Sequence, residues 1–285
     1  MLEVMRARKI TPRENGDDTV PKKFEHKRSL GQNFLTSNVV PNWMAQCANI
    51  EAGDTVLEIG PGTGRLTSAL LERKANVIAI EADARAIVEL EALFPAEITS
   101  GQLVVHHGDA REITPQTLGL TDKGFKVVAN IPYYLSGFLL RTLLESDIQP
   151  TTLTFLIQKE LAFRIARDTK ESLLSLSVKA FGNPHYNRNV GRGHFHPIPN
   201  VDSAILTITD ISKDNFKTIE PKLFFEILHL GLGKKRKQLL ANLASKYSRG
   251  VLAEIFDLQR ISRTARGEDL VLSQWLALTE ALSHT

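Results

Sequence analysis

Thr55-Val56-Leu57-Glu58-Ile59-Gly60-Pro61-Gly62-Thr63-Gly64 decides the fold. A short apolar run enters three glycines spaced two apart, and residues 65–74 then read as a helix. Glycines at such a corner let the backbone turn tightly and let a ligand lie against it. Further apolar runs at residues 77–80, 103–105, 126–129 and 153–157 read as strands. Between or after them, residues 83–94, 137–145 and 159–167 carry helical spacing. Strands alternating with helices over short loops predict a mostly parallel sheet covered on both faces, a Rossmann-like α/β fold. Upstream, residues 37–49 read as a helix, and residues 173–181 as another beyond the fifth strand. Candidate strands at 187–191 and 204–209 extend the sheet with an antiparallel edge. From Pro221 onward the spacing is helical only, at 223–230, 235–245, 250–256 and 272–282. The expected organisation is a flexible basic leader at 1–28, a Rossmann-like domain at 29–210 and a small helical domain at 211–285.

The chain has 285 residues, 42% of them hydrophobic and 24% charged. That apolar fraction excludes a disordered protein. Cys47 stands alone, so neither an intramolecular disulfide nor a cysteine metal cluster is available, and a reducing, cytoplasmic setting is expected. No apolar run reaches the ~18 residues of a spanning helix, so no membrane partner is expected. The net charge of +3 is uneven: +3 over residues 1–28, −4 over 29–210 and +4 over 211–285. Basic flanks around a mildly acidic centre suit a protein that meets a polyanion at its ends.

An α/β sheet of this kind binds ligands beyond the carboxyl ends of its strands. The loop spacing here is G-x-G-x-G, not the G-x-G-x-x-G of dinucleotide sites that seat a pyrophosphate. Glu81 closes the second strand, 21 positions after Gly60, where a carboxylate accepts hydrogen bonds from both hydroxyls of a ribose. Asp109, before Ala110, sits at the next corner and suits the exocyclic amine of an adenine. Together these residues read as a nucleoside pocket without a phosphate site, which fits S-adenosylmethionine, with S-adenosylhomocysteine as product. His106 and His107 lack further ligands in a metal-site pattern, so no metal is expected.

The fourth strand ends in Asn130-Ile131-Pro132-Tyr133. An adenine N6 is a poor nucleophile because its lone pair is delocalised into the ring. Acceptors placed around its hydrogens favour a more tetrahedral nitrogen, and an asparagine oxygen with a neighbouring carbonyl can serve. Proline stiffens the turn and withholds a competing N–H. Tyr133 offers a π face to a base that has left its stack.

In combination these motifs resemble the small-subunit ribosomal RNA adenine dimethyltransferases of the KsgA type over about residues 27–282. The resemblance is carried by Leu30-Gly31-Gln32-Asn33-Phe34-Leu35, the glycine loop, Glu81, Gly108-Asp109-Ala110, Asn130 to Tyr133, Gln158-Lys159-Glu160, and Phe195-His196-Pro197-Ile198-Pro199-Asn200-Val201-Asp202-Ser203. It implies a class I S-adenosylmethionine-dependent methyltransferase fold. It also implies a substrate of two adjacent adenosines in a hairpin near the 3′ end of small-subunit (16S) rRNA, each dimethylated at N6 within an immature subunit. The enzyme is expected to be a monomer. The resemblance places cofactor contacts at Asn33, Leu35, Gly60, Gly62, Glu81, Asp109, Ala110 and Asn130. It gives catalysis to Asn130, Ile131, Pro132 and Tyr133. It implies that Phe195, braced by the following Pro-rich turn, stacks on the flipped adenine. His196 is not needed as a base, because a methylated amine sheds its proton to solvent. Lys234, Lys235, Arg236 and Lys237 resemble the basic run that opens a helix of the family's C-terminal domain, and four adjacent cations can neutralise several phosphates. The family often has Tyr-Gly before Leu-Ser-Val, whereas Leu173 and Leu174 stand near that place here.

Three other readings compete. The macrolide-resistance methyltransferases of large-subunit rRNA share the start motif, glycine loop and Asn-Ile/Leu-Pro-Tyr. Gly31, Arg236-Lys237-x-Leu-x-x-Asn-Leu and Arg266-Gly267-Glu268-Asp269-Leu270 favour the small-subunit family. A non-catalytic ribosome-assembly RNA binder would not need Glu81, Asp109 and the whole Asn130–Tyr133 motif. A small-molecule methyltransferase would not explain the basic helical C-terminal region.

Overall fold

The computed structural model describes residues 33–285. The leader at 1–28 and Leu30, Gly31 and Gln32 of the start motif lie outside the described residues. In chain order the elements are β1 (Phe34–Leu35), α1 (Val39–Cys47), β2 (Thr55–Ile59), α2 (Arg65–Glu72), β3 (Asn76–Glu81), α3 (Ala84–Leu93), α4 (Pro95–Ser100), β4 (Leu103–His107) and β5 (Lys126–Asn130). Next come α5 (Ser136–Glu145), β6 (Thr152–Gln158), α6 (Lys159–Ala166), α7 (Leu173–Lys179), β7 (Asn183–Val190), β8 (Phe195–His196) and β9 (Ser203–Thr209). Four helices close the chain: α8 (Pro221–Leu232), α9 (Leu239–Leu243), α10 (Arg249–Leu258) and α11 (Leu272–Leu282).

Seven strands form one sheet in the order β4-β3-β2-β5-β6-β9-β7. The five from β4 to β6 are parallel. β9 is antiparallel to both β6 and β7. The reversed strand is therefore an inner one, and the edge strand β7 again runs with the parallel set. The expected antiparallel edge is corrected to an antiparallel strand one place in.

Strand residues alternate between two cores, as a period of two requires. Leu57, Val127, Phe155 and Leu206 face one core, with α5, α7 and the C-terminal helices. Val56, Val128, Leu156 and Ile205 face the other, with Met44 of α1 and Leu66 and Leu70 of α2. Cover on both faces is why these strands read as continuous apolar runs. The C-terminal helices share the first core. Phe216 lies edge-on to Phe224 with ring centroids 5.5 Å apart and 5.0 Å from Phe181, joining α8 to the end of α7.

Where the sequence departs from the family's Tyr-Gly, Ser172 caps α7. Its hydroxyl accepts from the Ser175 N–H at 3.1 Å, and the Ser175 hydroxyl accepts from the Ser172 N–H at 2.7 Å. Leu173 and Leu174 pack against the first core from the start of this capped helix.

Candidate active site

The parallel strands deliver the expected ligand residues to one rim. Ile59 pairs with Ile80, Glu81 with His107, and Asn130 with Leu156, so the carboxyl ends of β2 to β6 stand side by side. The loops beyond them enclose a cleft lined by Gly60, Gly62, Glu81, Asp109, Ala110 and Asn130 to Tyr133. β1 crosses the mouth and adds Asn33, Phe34 and Leu35. Every residue singled out from sequence for cofactor contact or catalysis lines this one cleft.

Two glycines show why the loop has its sequence. Gly60 has φ +69° and a Cβ built there would meet nothing within 4 Å. Its bare backbone thus opens onto the cleft, and a side chain would fill that space. Gly62 has φ +54°, and a Cβ there would come within 2.7 Å of the Phe34 ring. Left-handed conformation and close packing both demand glycine at 62.

Glu81 is 3% exposed. Its carboxylate accepts from the Gly62 N–H at 3.0 Å and from the Asp83 N–H at 2.9 Å. It ties the glycine loop to the start of α3, and each oxygen keeps a lone pair for a ligand. Beneath the loop, Glu58 is fully buried and accepts from the Thr67 hydroxyl at 2.8 Å. Burial, then the nearby Glu81 charge, push the Glu58 carboxyl up to about 8 against the pull of the Thr67 hydrogen bond. Glu58 is absent from the cleft lining and acts under it.

Asp109 is engaged by Arg111. The guanidinium Nη2 lies 2.5 Å from Oδ2, Nε lies 3.0 Å from both oxygens, and the Arg111 N–H donates at 2.9 Å. This pairing holds the Asp109 carboxyl below its usual range. Sequence reasoning missed Arg111. Its signal is the i+2 spacing that lets an arginine fold back on an aspartate at a turn.

Asn130 donates from Nδ2 to the main-chain oxygen of Asn33 at 3.2 Å. With its nitrogen committed, Oδ1 is the acceptor left for another group. Tyr133 is half-buried, and its hydroxyl bonds to the Ser203 hydroxyl at 2.8 Å. Burial raises the Tyr133 phenol above its ordinary value. The bond fixes the ring beside Asn130.

Phe195 is placed differently from expectation. It belongs to β8, pairs with Leu35 of β1, and is 2% exposed. It forms part of the cleft wall from within the second core. Stacking on a base from this position leaves only a sliver of its ring. The exposed groups at that side are Ile198 and Val201 of the following turn.

The basic run is also displaced from a helix. Lys234 to Lys237 form an exposed turn between α8 and α9, closed by the Lys237 N–H on the Lys234 oxygen at 2.9 Å. The helix expected over 235–245 begins only at Leu239 and ends at Leu243. Buried Asn242 sets the turn, donating to the Gly231 oxygen at 2.7 Å and to the Lys234 oxygen at 3.3 Å. That is the structural task of the asparagine in Arg-Lys-x-Leu-x-x-Asn-Leu.

A doubly covered sheet with an acidic second strand end, a glycine loop without a phosphate seat, and Asn-Ile-Pro-Tyr after the fourth parallel strand defines a class I S-adenosylmethionine-dependent methyltransferase. The family model for ribosomal RNA adenine dimethylases matches residues 23–284, and the chain belongs to that family. It is 35% identical over 255 residues to a ribosomal RNA small subunit methyltransferase A from Dehalococcoides mccartyi, covering 88% of this chain and 87% of that protein. Among solved structures, a dimethyladenosine transferase from Plasmodium falciparum superposes with a TM-score of 0.72 at 26% identity, over 86% of this chain and 95% of the other. The 23S rRNA methyltransferase ErmE gives 0.70 at 25% identity, over 88% and 100%. The fold alone does not separate the two rRNA substrates; the sequence relatives do.

Proposed function

We propose that this protein transfers methyl groups to N6 of two adjacent adenosines in a hairpin near the 3′ end of small-subunit rRNA, giving N6,N6-dimethyladenosines. The observation that carries the reading is the Asn130 amide, pinned by Asn33 so that its oxygen is offered at the end of the nucleoside cleft. Relatives named for the small subunit, and the Arg-Lys-x-Leu-x-x-Asn-Leu turn, support this substrate over large-subunit rRNA.

The cleft fits S-adenosylmethionine: Gly60 leaves bare backbone for close approach, and Glu81 presents acceptors beside it. When bound, S-adenosylmethionine supplies an electrophilic methyl group. In this reading Glu81 holds the ribose hydroxyls and Asp109 the adenine amine, while Asn33 and Asn130 border the methionine end. Tyr133 holds the flipped target base on its ring face. Asn130 Oδ1 accepts a hydrogen of the target amine, and a main-chain carbonyl near Pro132 accepts the other. These acceptors draw the N6 lone pair out of conjugation. Positive charge growing on N6 strengthens both bonds, so the site favours the transition state over the ground state. The amine then releases its proton to solvent.

The turn Lys234 to Lys237 binds rRNA phosphates, and residues 211–285 form the RNA-binding part. The substrate is met inside an immature small subunit in the cytoplasm, by a monomer. Among the described residues no helix is long and apolar enough to cross a membrane.

The test is methyl transfer from labelled S-adenosylmethionine to undermethylated small and large subunits, with modified nucleosides mapped. Dimethyladenosine at two adjacent small-subunit positions is expected. Label confined to large-subunit rRNA would identify the macrolide-resistance type, and no label with tight subunit binding would identify an assembly factor.

A further inference from the structure

A second cleft opens beside the first. The two share Asn33, Tyr133 and Tyr134 along a common wall. The second is otherwise lined by Gln158, at the end of β6, and by the turn from Ile198 to Val201. Its volume of about 770 Å³ lies in the ~300–1,000 Å³ range of small-molecule sites.

The lining has the chemistry of a base-binding surface. Tyr134 is 62% exposed, Ile198 65% and Val201 44%. Three large apolar side chains therefore face water around one opening, which is how an interaction site differs from ordinary surface. Two amides sit among them. Gln158 is half-buried and Asn200 exposed, and neither side chain has a hydrogen-bond partner among the described residues. A carboxamide matches adenine with paired donor and acceptor contacts to the amine and a ring nitrogen. Tyr134 supplies a face on which a base can stack.

The second cleft lacks Asn130, Ile131, Pro132 and the glycine loop, all of which line the first. A base held there is out of reach of the transfer point. The shared wall puts it next to a base in the first cleft, as consecutive nucleotides of one strand are.

We propose that this cleft binds the nucleoside adjacent to the target in the same RNA strand and selects adenine, with Gln158 and Asn200 reading its edge and Tyr134 and Ile198 packing on its face. This gives a role to the Gln158-Lys159-Glu160 motif, and it rests on the reading of the substrate as adjacent adenosines. Because the cleft lies to one side of the target, it reads only one of the target's two neighbours. One adenosine of the pair is thus recognised with its partner as a specificity element, and the other is not.

The experiment uses undermethylated small subunits whose rRNA carries the adjacent pair as A-A, A-G or G-A. Wild-type protein is expected to lose about tenfold in kcat/KM on one of the two substituted subunits, a loss within the range of a single bidentate base contact, and little on the other. In Gln158→Leu/Asn200→Leu that asymmetry should shrink to within about twofold, with cofactor affinity unchanged. Ile198→Asp, at a side chain 65% exposed, should weaken transfer to A-A subunits through KM. Equal rates for wild type on both substituted subunits would overturn the proposal, as would asymmetry retained in the double variant. Absence of transfer to any subunit would instead sink the reading of the reaction. A fluorescence titration with loop RNA carrying 2-aminopurine beside the target adenosine needs no turnover: weaker binding by the double variant supports the cleft, and equal binding refutes it.

Discussion

Asn130 and Asn33 are joined by a hydrogen bond of 3.2 Å from the side-chain amide of one to the main-chain oxygen of the other, across 97 positions of sequence. The bond does for Asn130 what a second layer of contacts does for any catalytic group: it decides which end of the amide faces the substrate. Asn130→Ala should slow single-turnover methyl transfer by about 10²–10³, the cost of removing one preorganised partner of developing charge. RNA affinity should hold. Asn130→Asp should also fail, because a carboxylate has no donor for the Asn33 oxygen. A folded Asn130→Ala protein that dimethylates at near wild-type rate would falsify the catalytic role.

Glu81 is asked to do two things, and substitutions separate them. Glu81→Ala removes a charged acceptor from the ribose and should weaken S-adenosylmethionine binding by roughly 1.5–3 kcal/mol. Glu81→Gln keeps the size but sets an NH₂ against one of the two N–H groups, of Gly62 or Asp83, that the carboxylate now accepts. It should weaken binding and lower the thermal midpoint together. Calorimetry with the cofactor and a melting curve read the two effects; wild-type affinity in either folded variant would remove Glu81 from the site.

The strand ends were legible because parallel strands covered on both faces leave continuous apolar runs, and each run stops where the backbone turns to the ligand. Gly60, Glu81, Asp109 and Asn130 follow directly from that, and all four line one cleft. Other features depend on partners far along the chain. Phe195 lies in a strand of two residues, too short for alternation to show which side faces in, and only pairing with Leu35 buries it. The order of β9 and β7 depends on which strand edge each return segment reaches, not on local pattern. The helix expected over 235–245 shortened because Asn242 spends its amide on the Gly231 and Lys234 carbonyls, holding residues 234–237 in a turn. Arg111 folded onto Asp109 is a local contact, yet nothing in composition marks it.

The basic turn gives a prediction with an electrostatic signature. Replacing Lys234, Lys235, Arg236 and Lys237 with Gln should weaken rRNA binding with little change in cofactor affinity. The slope of log K against log salt should fall by about 0.7–0.9 for each phosphate that the turn no longer neutralises. Asn242→Ala should lower RNA affinity without touching a charge, because the turn loses its two anchors. Filter binding over a salt series checks both, and an unaltered slope in the quadruple variant would leave the run as solvated surface.

The last prediction concerns Glu58, a carboxyl buried under the glycine loop that the chemistry does not use. Only one oxygen has a partner among the described residues: Oε2 accepts from Thr67, and Oε1 has none. A carboxylate so desolvated is costly, so the group holds its proton up to about pH 8. In the unfolded chain it ionises near its ordinary value of 4.5. The folded state therefore binds more protons than the unfolded state between these values, and stability falls as pH rises through that window. Below about 4.5 this contribution is complete, and above about 8 it is gone. Glu58→Gln keeps an acceptor for Thr67 and cannot ionise. Its urea midpoint should change less than that of wild type between pH 5 and pH 9, and the two curves should diverge most at the alkaline end. Ionised Glu58 would also stand beside the Glu81 charge, so wild-type affinity for S-adenosylmethionine should drift at the same alkaline pH while Glu58→Gln stays level. Parallel pH profiles for the two proteins would show that Glu58 is ionised in the fold at neutral pH, held by contacts other than those seen under the loop.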